Sequence, residues 1–188
     1  MHVSIRRPVP AVTAIDVDAL AGETLRVQAA ALGLPSHALD HRLPERHARG
    51  RHGLTAIGAF HDGRLVGFAY GVPAREHYPW RAPVHHRLLA AGRSSWTEDA
   101  FYLCELHVLP EFQGRGLGTR LLTALCARAG DARRVILTTP AQQAPARRLY
   151  HRHGFADLTD LAAEGPDQYA VMGAVLPLLP KTFRARAA

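Results

Sequence analysis

The chain has 188 residues, 47% of them hydrophobic, and 23 basic against 16 acidic residues give it a formal net charge of +7. That length suits one compact domain, and the hydrophobic share excludes a disordered chain. Every basic residue except Lys181 is an arginine, and they are scattered rather than blocked, so the surplus favours an anionic small partner or solubility over nucleic acid.

No run of about 18 apolar residues occurs, so no membrane span is expected. The opening Arg6-Arg7 pair precedes apolar residues, but Pro8, Pro10, Asp16 and Asp18 interrupt them and no cleavage site follows, unlike an export signal. Cys104 and Cys126 make no disulfide framework and match no zinc spacing, which favours a reduced, cytoplasmic setting.

After a proline-containing lead-in, apolar positions over 16–31 predict a helix ending near Gly33, and 36–50 predicts a second, polar one. The runs LTAIGAF (54–60) and LVGFAYGVP (65–73) flank Asp62-Gly63 and predict a β-hairpin. Residues 74–100 read as a long loop with a helical piece at 84–91. AFYLCELHV (100–108) is a strand ended by Pro110, and 116–129 a leucine-striped helix stopped by Gly130. A strand at 135–140, a helix at 145–153 and strands at 154–161 and 168–176 complete an α+β domain, with tails at 1–10 and 180–188.

The stretch FQGRGLGTR (112–120) joins strand to helix with three glycines, although glycine costs about 1 kcal/mol in a helix against alanine. A helix N-terminus offers unpaired N–H groups and partial positive charge, and glycine lets a large anion approach the backbone. The dinucleotide fingerprint fails, because Thr119 stands at its third glycine, and the P-loop fails for want of a lysine.

Gln113-Gly114-Arg115-Gly116-Leu117-Gly118 resembles the acetyl-coenzyme A loop of the GNAT-type N-acetyltransferases, and APARRLYHRHGF (144–155) resembles the family's later helix and strand. The resemblance covers roughly 54–176, with 1–53 fitting two variable opening helices loosely. It implies a mixed, mostly antiparallel sheet splayed between the strands at 100–108 and 135–139. Acetyl-CoA would then bond main-chain groups of Leu106, His107 and Val108 through its pantetheine arm, and amides from Gly114 through Arg115, Gly116, Leu117 and Gly118 to Thr119 through its diphosphate.

By the same resemblance Tyr150 is the general acid for the departing thiolate, and a carboxylate at Glu105 is a base or substrate anchor. His107, on the same strand face, is a second base candidate. Gln143 stands where the family commonly carries an asparagine that contacts the cofactor arm. Cys104 reads as packing rather than as an acyl carrier. His37, Asp40, His41 and His47 share rough helical spacing without a metal motif, and no metal is expected. The function implied is acetyl transfer to a primary amine of a small molecule or peptide, with no membrane or nucleic-acid partner and a possible homodimer. Glu76, Tyr78, Trp80, Trp96, Glu98 and Asp99 are candidates for the acceptor pocket. A non-catalytic acyl-CoA sensor on the same fold is the alternative.

Overall fold

The computed structural model describes residues 9–51, 54–74, 81–140, 142–159 and 169–179. Along the chain these form β1 (Ala11–Ala14), α1 (Ala21–Ala31), α2 (Leu43–Arg51), β2 (Thr55–His61), β3 (Arg64–Pro73), α3 (Arg81–Ala90) and β4 (Ala100–Val108). There follow α4 (Leu117–Cys126), β5 (Arg134–Pro140), α5 (Ala144–Arg152), β6 (Ala156–Asp157) and β7 (Tyr169–Val175). The strands make one mixed, mostly antiparallel sheet in the order β1-β2-β3-β4-β5-β7-β6. The chain divides into two compact units, Met1–Tyr70 with Glu105–Ala124 and Gly71–Cys104 with Leu125–Ala188, with the dividing points inside β3, β4 and α4.

In the first unit, β1 pairs antiparallel with β2 from Ala11↔Phe60 to Ala14↔Ile57. The β2–β3 hairpin closes on Asp62 (φ 50) and Gly63 (φ 73), two left-handed residues in a row, as the tight turn that suits strand twist requires. Before α1, the Asp16 carboxylate accepts from the Asp18 N–H at 2.8 Å and the Ala19 N–H at 3.3 Å, which holds this stretch as a turn. The helix therefore starts at Ala21 and not at Asp16 as its sequence suggests. Leu25, Ile57, Phe68, Tyr70, Leu121 and Leu122 are fully buried. Each such leucine contributes about 1.5–3 kcal/mol by leaving water.

In the second unit, β4 runs parallel to β5 over Ala100↔Arg134, Phe101↔Val135 and Tyr102↔Ile136, and both strands continue beyond that register, to Val108 and Pro140. β5 pairs antiparallel with β7 along its whole length, and β7 carries β6 on its other edge. Gly71 has no room for a side chain, since a Cβ there would stand 2.4 Å from the Tyr102 carbonyl oxygen. Arg134 lies over the Trp96 ring at 5.7 Å, and Trp96 in turn covers Gly173, where a Cβ would meet it at 2.7 Å.

Several elements differ from the sequence expectation. The lead-in contains the strand β1; its four residues, AVTA, are mostly exposed and too short a run to announce a strand. The helix expected at 84–91 runs from Arg81 to Ala90, followed by a 3-10 turn at Ser94–Thr97. The strand expected at 154–161 is only Ala156–Asp157 among the described residues. Glu76, Tyr78 and Trp80 lie outside the described residues.

Candidate active site

Two features of the first unit bear on chemistry. The first is a polar cluster set into its apolar interior. Strand alternation puts Glu105 and His107 on one face of β4, and His107 Nε2 meets Glu105 Oε2 at 2.7 Å. Gln28, from α1, donates its side-chain N–H to the same Oε2 at 3.2 Å. Arg46, from α2, donates in turn to Gln28 Oε1. The guanidinium lies over the Tyr70 ring at 5.1 Å and the Phe68 ring at 5.6 Å, and the His107 ring sits 5.5 Å from Phe68. Arg46 is 2% exposed and Gln28 4%, whereas the side chains of Glu105 and His107 keep 16% and 15% of their surface. The last two therefore keep some exposed surface, and the first two are buried.

The charge state of Glu105 follows from these neighbours. Burial pushes its carboxyl up, but the hydrogen bond and charge of His107, with the charges of Arg46 and Arg42, outweigh that and hold it below the usual carboxylate range. Glu105 is therefore an anion at neutral pH. A carboxylate so stabilised is a weak proton acceptor and a good partner for a cation or an imidazole.

The second feature is the turn from β4 to α4. Gly114 has φ +71 and Gly116 φ +79, and a Cβ built on either would meet nothing within 4 Å. The Gln113 side-chain N–H donates to the Val108 carbonyl at 2.9 Å, tying the start of the turn to the strand end. The Gln113 backbone N–H is taken by Pro110 and the Arg120 N–H by Gly116. Between them, the N–H groups of Gly114, Arg115, Gly116, Leu117, Gly118 and Thr119 find no acceptor among the described residues. Open donors, clear space and a helix N-terminus fit the diphosphate of acetyl-CoA. A cavity of about 160 Å³ beside the turn carries Arg115 and Arg120, and is too small for a drug-sized ligand.

In the second unit, Tyr150 is buried on α5 with its ring centroid 5.4 Å from that of Phe155. Its carbonyl accepts the Phe155 and His153 N–H groups at the helix end. Arg147 pairs with Asp157 at 2.9 Å, and His151 approaches the same carboxylate. Gln143 is exposed at the start of α5, and its side chain makes no capping bond there. The Cys104 thiol faces the Tyr102 carbonyl at 3.6 Å. His47 pairs with Asp18, and no group of three or more metal-ligating side chains gathers among the described residues.

Gln28 and Arg46 were not among the residues that sequence reasoning singled out. A signal existed for the first: Gln28 sits three residues after Leu25, on the buried stripe of α1, where a polar side chain demands a partner. Arg46 had none, being one of many arginines in a polar helix.

A profile of the Acetyltransferase (GNAT) family matches residues 25–155. A GCN5-like protein acetyltransferase of Mycobacterium tuberculosis is 37% identical over 138 residues, which cover 66% of this chain and 65% of that relative's length. Among solved structures, a GNAT-family protein from Desulfovibrio desulfuricans gives a TM-score of 0.65 at 20% identity, covering 88% of this chain and 98% of the other. PaiA N-acetyltransferase from Thermoplasma acidophilum, solved in complex with coenzyme A, gives 0.58 at 13% identity over 89% and 99%. At such identities the structures speak to the fold.

Proposed function

The chain belongs to the GNAT acetyltransferase family, whose members use acetyl-CoA for acyl transfer, and we propose that its acceptor is a primary amine of a small molecule or peptide. The observation that carries this reading is the row of open amides from Gly114 to Thr119. On this reading those amides hold the diphosphate, and the main chain of Leu106, His107 and Val108 holds the pantetheine arm. When bound, acetyl-CoA supplies an activated acetyl thioester.

An amine nucleophile is mostly protonated at neutral pH and must lose a proton before it can attack. The Glu105–His107 pair supports an amine acceptor on that ground. We assign His107 as the proton acceptor, because Glu105 is held as an anion of low basicity, and Glu105 as the group that orients the imidazole and balances its charge. Tyr150 is assigned by its motif as donor of the proton that the departing thiolate takes up.

The test has two stages. Acetyl-CoA at 100 times its dissociation constant should stabilise the protein by about 2.7 kcal/mol, which raises Tm by roughly 5–11 °C at this chain length. Thiol release is then followed over an array of amino acids, polyamines and peptides with free N-termini, for the wild type and Tyr150→Phe. Turnover with one amine class, reduced in Tyr150→Phe, supports the assignment. Binding with no turnover on any amine supports a sensor instead, and no thermal shift at millimolar acetyl-CoA overturns the reading.

A further inference from the structure

The cluster around Glu105 has a donor–acceptor order that its chemistry fixes. A guanidinium carries only donors, so the Gln28 atom facing Arg46 is the amide oxygen. The Gln28 NH2 group must then face Glu105, and it does so at 3.2 Å. Two donors, Gln28 Nε2 and His107 Nε2, converge on one carboxylate oxygen, Oε2. That oxygen cannot carry a proton, so His107 carries one on Nε2, and in the neutral ring the lone pair is then on Nδ1. We propose that Arg46 is a positioning residue which, through Gln28, fixes the Glu105 carboxylate so that His107 presents an unprotonated Nδ1 to the acceptor amine.

This rests on the amine-acetylation reading for its consequence and not for its geometry. The transfer balances: the acceptor ammonium loses H+ to Nδ1, the nitrogen keeps the electron pair for attack, and the imidazolium that forms stays on the Glu105 anion through Nε2–H. Arg46 is buried, so it never meets the acceptor. Its place over the rings of Phe68 and Tyr70 leaves the guanidinium little freedom. The groups that act on Glu105 are His107 on its own strand, Arg46 from α2 and Arg42 from the preceding 3-10 turn, and the Tyr70 ring from β3 lies against Arg46. Gln28 is the neutral link between two of them.

The experiment uses the full-length chain, 15N-labelled at histidine, with no ligand. Long-range 1H–15N spectra near pH 8 report which ring nitrogen of His107 carries the proton. The wild type should show the Nε2–H form. In Arg46→Met and Gln28→Met that form should give way to a mixture, with Arg46→Lys restoring part of it. In parallel, the pH–rate profile of thiol release from acetyl-CoA, with the best amine of the array, should move its acidic limb up by about one pH unit or more in Arg46→Met. An Nδ1–H form in the wild type, or an unchanged tautomer in both methionine variants, overturns the proposal. So does loss of the fold in both, which makes the cluster structural. The spectra decide the positioning role even where no amine turns over, so that result would count against the acetylation reading alone.

Discussion

Replacing Gly116 with alanine separates two things that a glycine can do at a ligand site. Gly116 has φ +79 with no atom within 4 Å of a built Cβ, so alanine meets no protein group and the folded chain suffers only backbone strain, about 1–2 kcal/mol for an L-residue in the left-handed region. If the turn keeps its shape, the strain appears as lost stability, roughly 2–4 °C in Tm per kcal/mol at this length. If the turn flips to escape, stability is retained and acetyl-CoA must restore the strained form on binding, so the same energy appears as lost affinity. The two losses therefore add up to the strain, unless the new methyl group also stands where the diphosphate comes in. Gly33 calibrates the strain, because it has φ +71 and equally open surroundings at the end of α1. Gly33→Ala should lose about 1 kcal/mol of stability with its acetyl-CoA affinity unchanged. Gly116→Ala should lose at least tenfold in affinity, about 1.4 kcal/mol, and its summed losses should exceed those of Gly33→Ala. Calorimetric titration with acetyl-CoA and urea unfolding of both variants supply the numbers. Affinity within twofold of wild type in Gly116→Ala, together with summed losses no larger than those of Gly33→Ala, would refute the placement of the diphosphate against this residue.

The carboxyl of Glu105 is held below its ordinary value of 4.5, so its contribution to stability is complete above about that pH and is lost as pH falls through the lower folded value. Urea unfolding between pH 6 and 2 should thus fall less steeply for Glu105→Gln than for wild type, and parallel curves would contradict the ionised state. Burial pushes the Cys126 thiol up to about 12, leaving roughly one thiolate in ten thousand at pH 8. A thiol reagent at pH 8 should therefore leave Cys126 unmodified in the native protein and label it in denaturant; native labelling there would mean that the end of α4 opens.

How much of this was legible in the sequence depends on how local the signal is. The β2–β3 hairpin announced itself, because Asp-Gly between apolar runs is a contiguous pattern and its two left-handed residues suit those side chains. β4 was legible over its full length, since a mostly buried strand ended by a proline has few other readings. β1 was not: four residues with an exposed pattern are held by their register with β2, a partner more than forty residues away. The start of α1 was misplaced because Asp16 bonds the N–H groups of Asp18 and Ala19 and keeps a helix-compatible stretch as a turn. The glycine turn stood out in the sequence because its left-handed conformation calls for residues without a side chain, and the glycines are written directly into the string. The Gln28–Arg46–Glu105 chain joins three elements, and its closest sequence separation, between Gln28 and Arg46, is 18 residues. No spacing rule reaches across that gap.

The same contrast governs how the two features should respond to change. The turn offers main-chain N–H groups, so altering a side chain such as that of Arg115 leaves every donor in place and removes only one exposed charge. Its sensitivity is concentrated at the left-handed glycines, where a single methyl group changes the backbone. The cluster on β4 acts through side chains that share one carboxylate oxygen, so removing any member leaves another with an unmet donor or acceptor in an apolar setting, about 1–3 kcal/mol each. Effects there cannot be additive, because the partners are in contact. On the proposed function, a grip on acetyl-CoA through this turn should tolerate side-chain variation along it, while proton handling by the cluster should depend on a few residues acting as one unit.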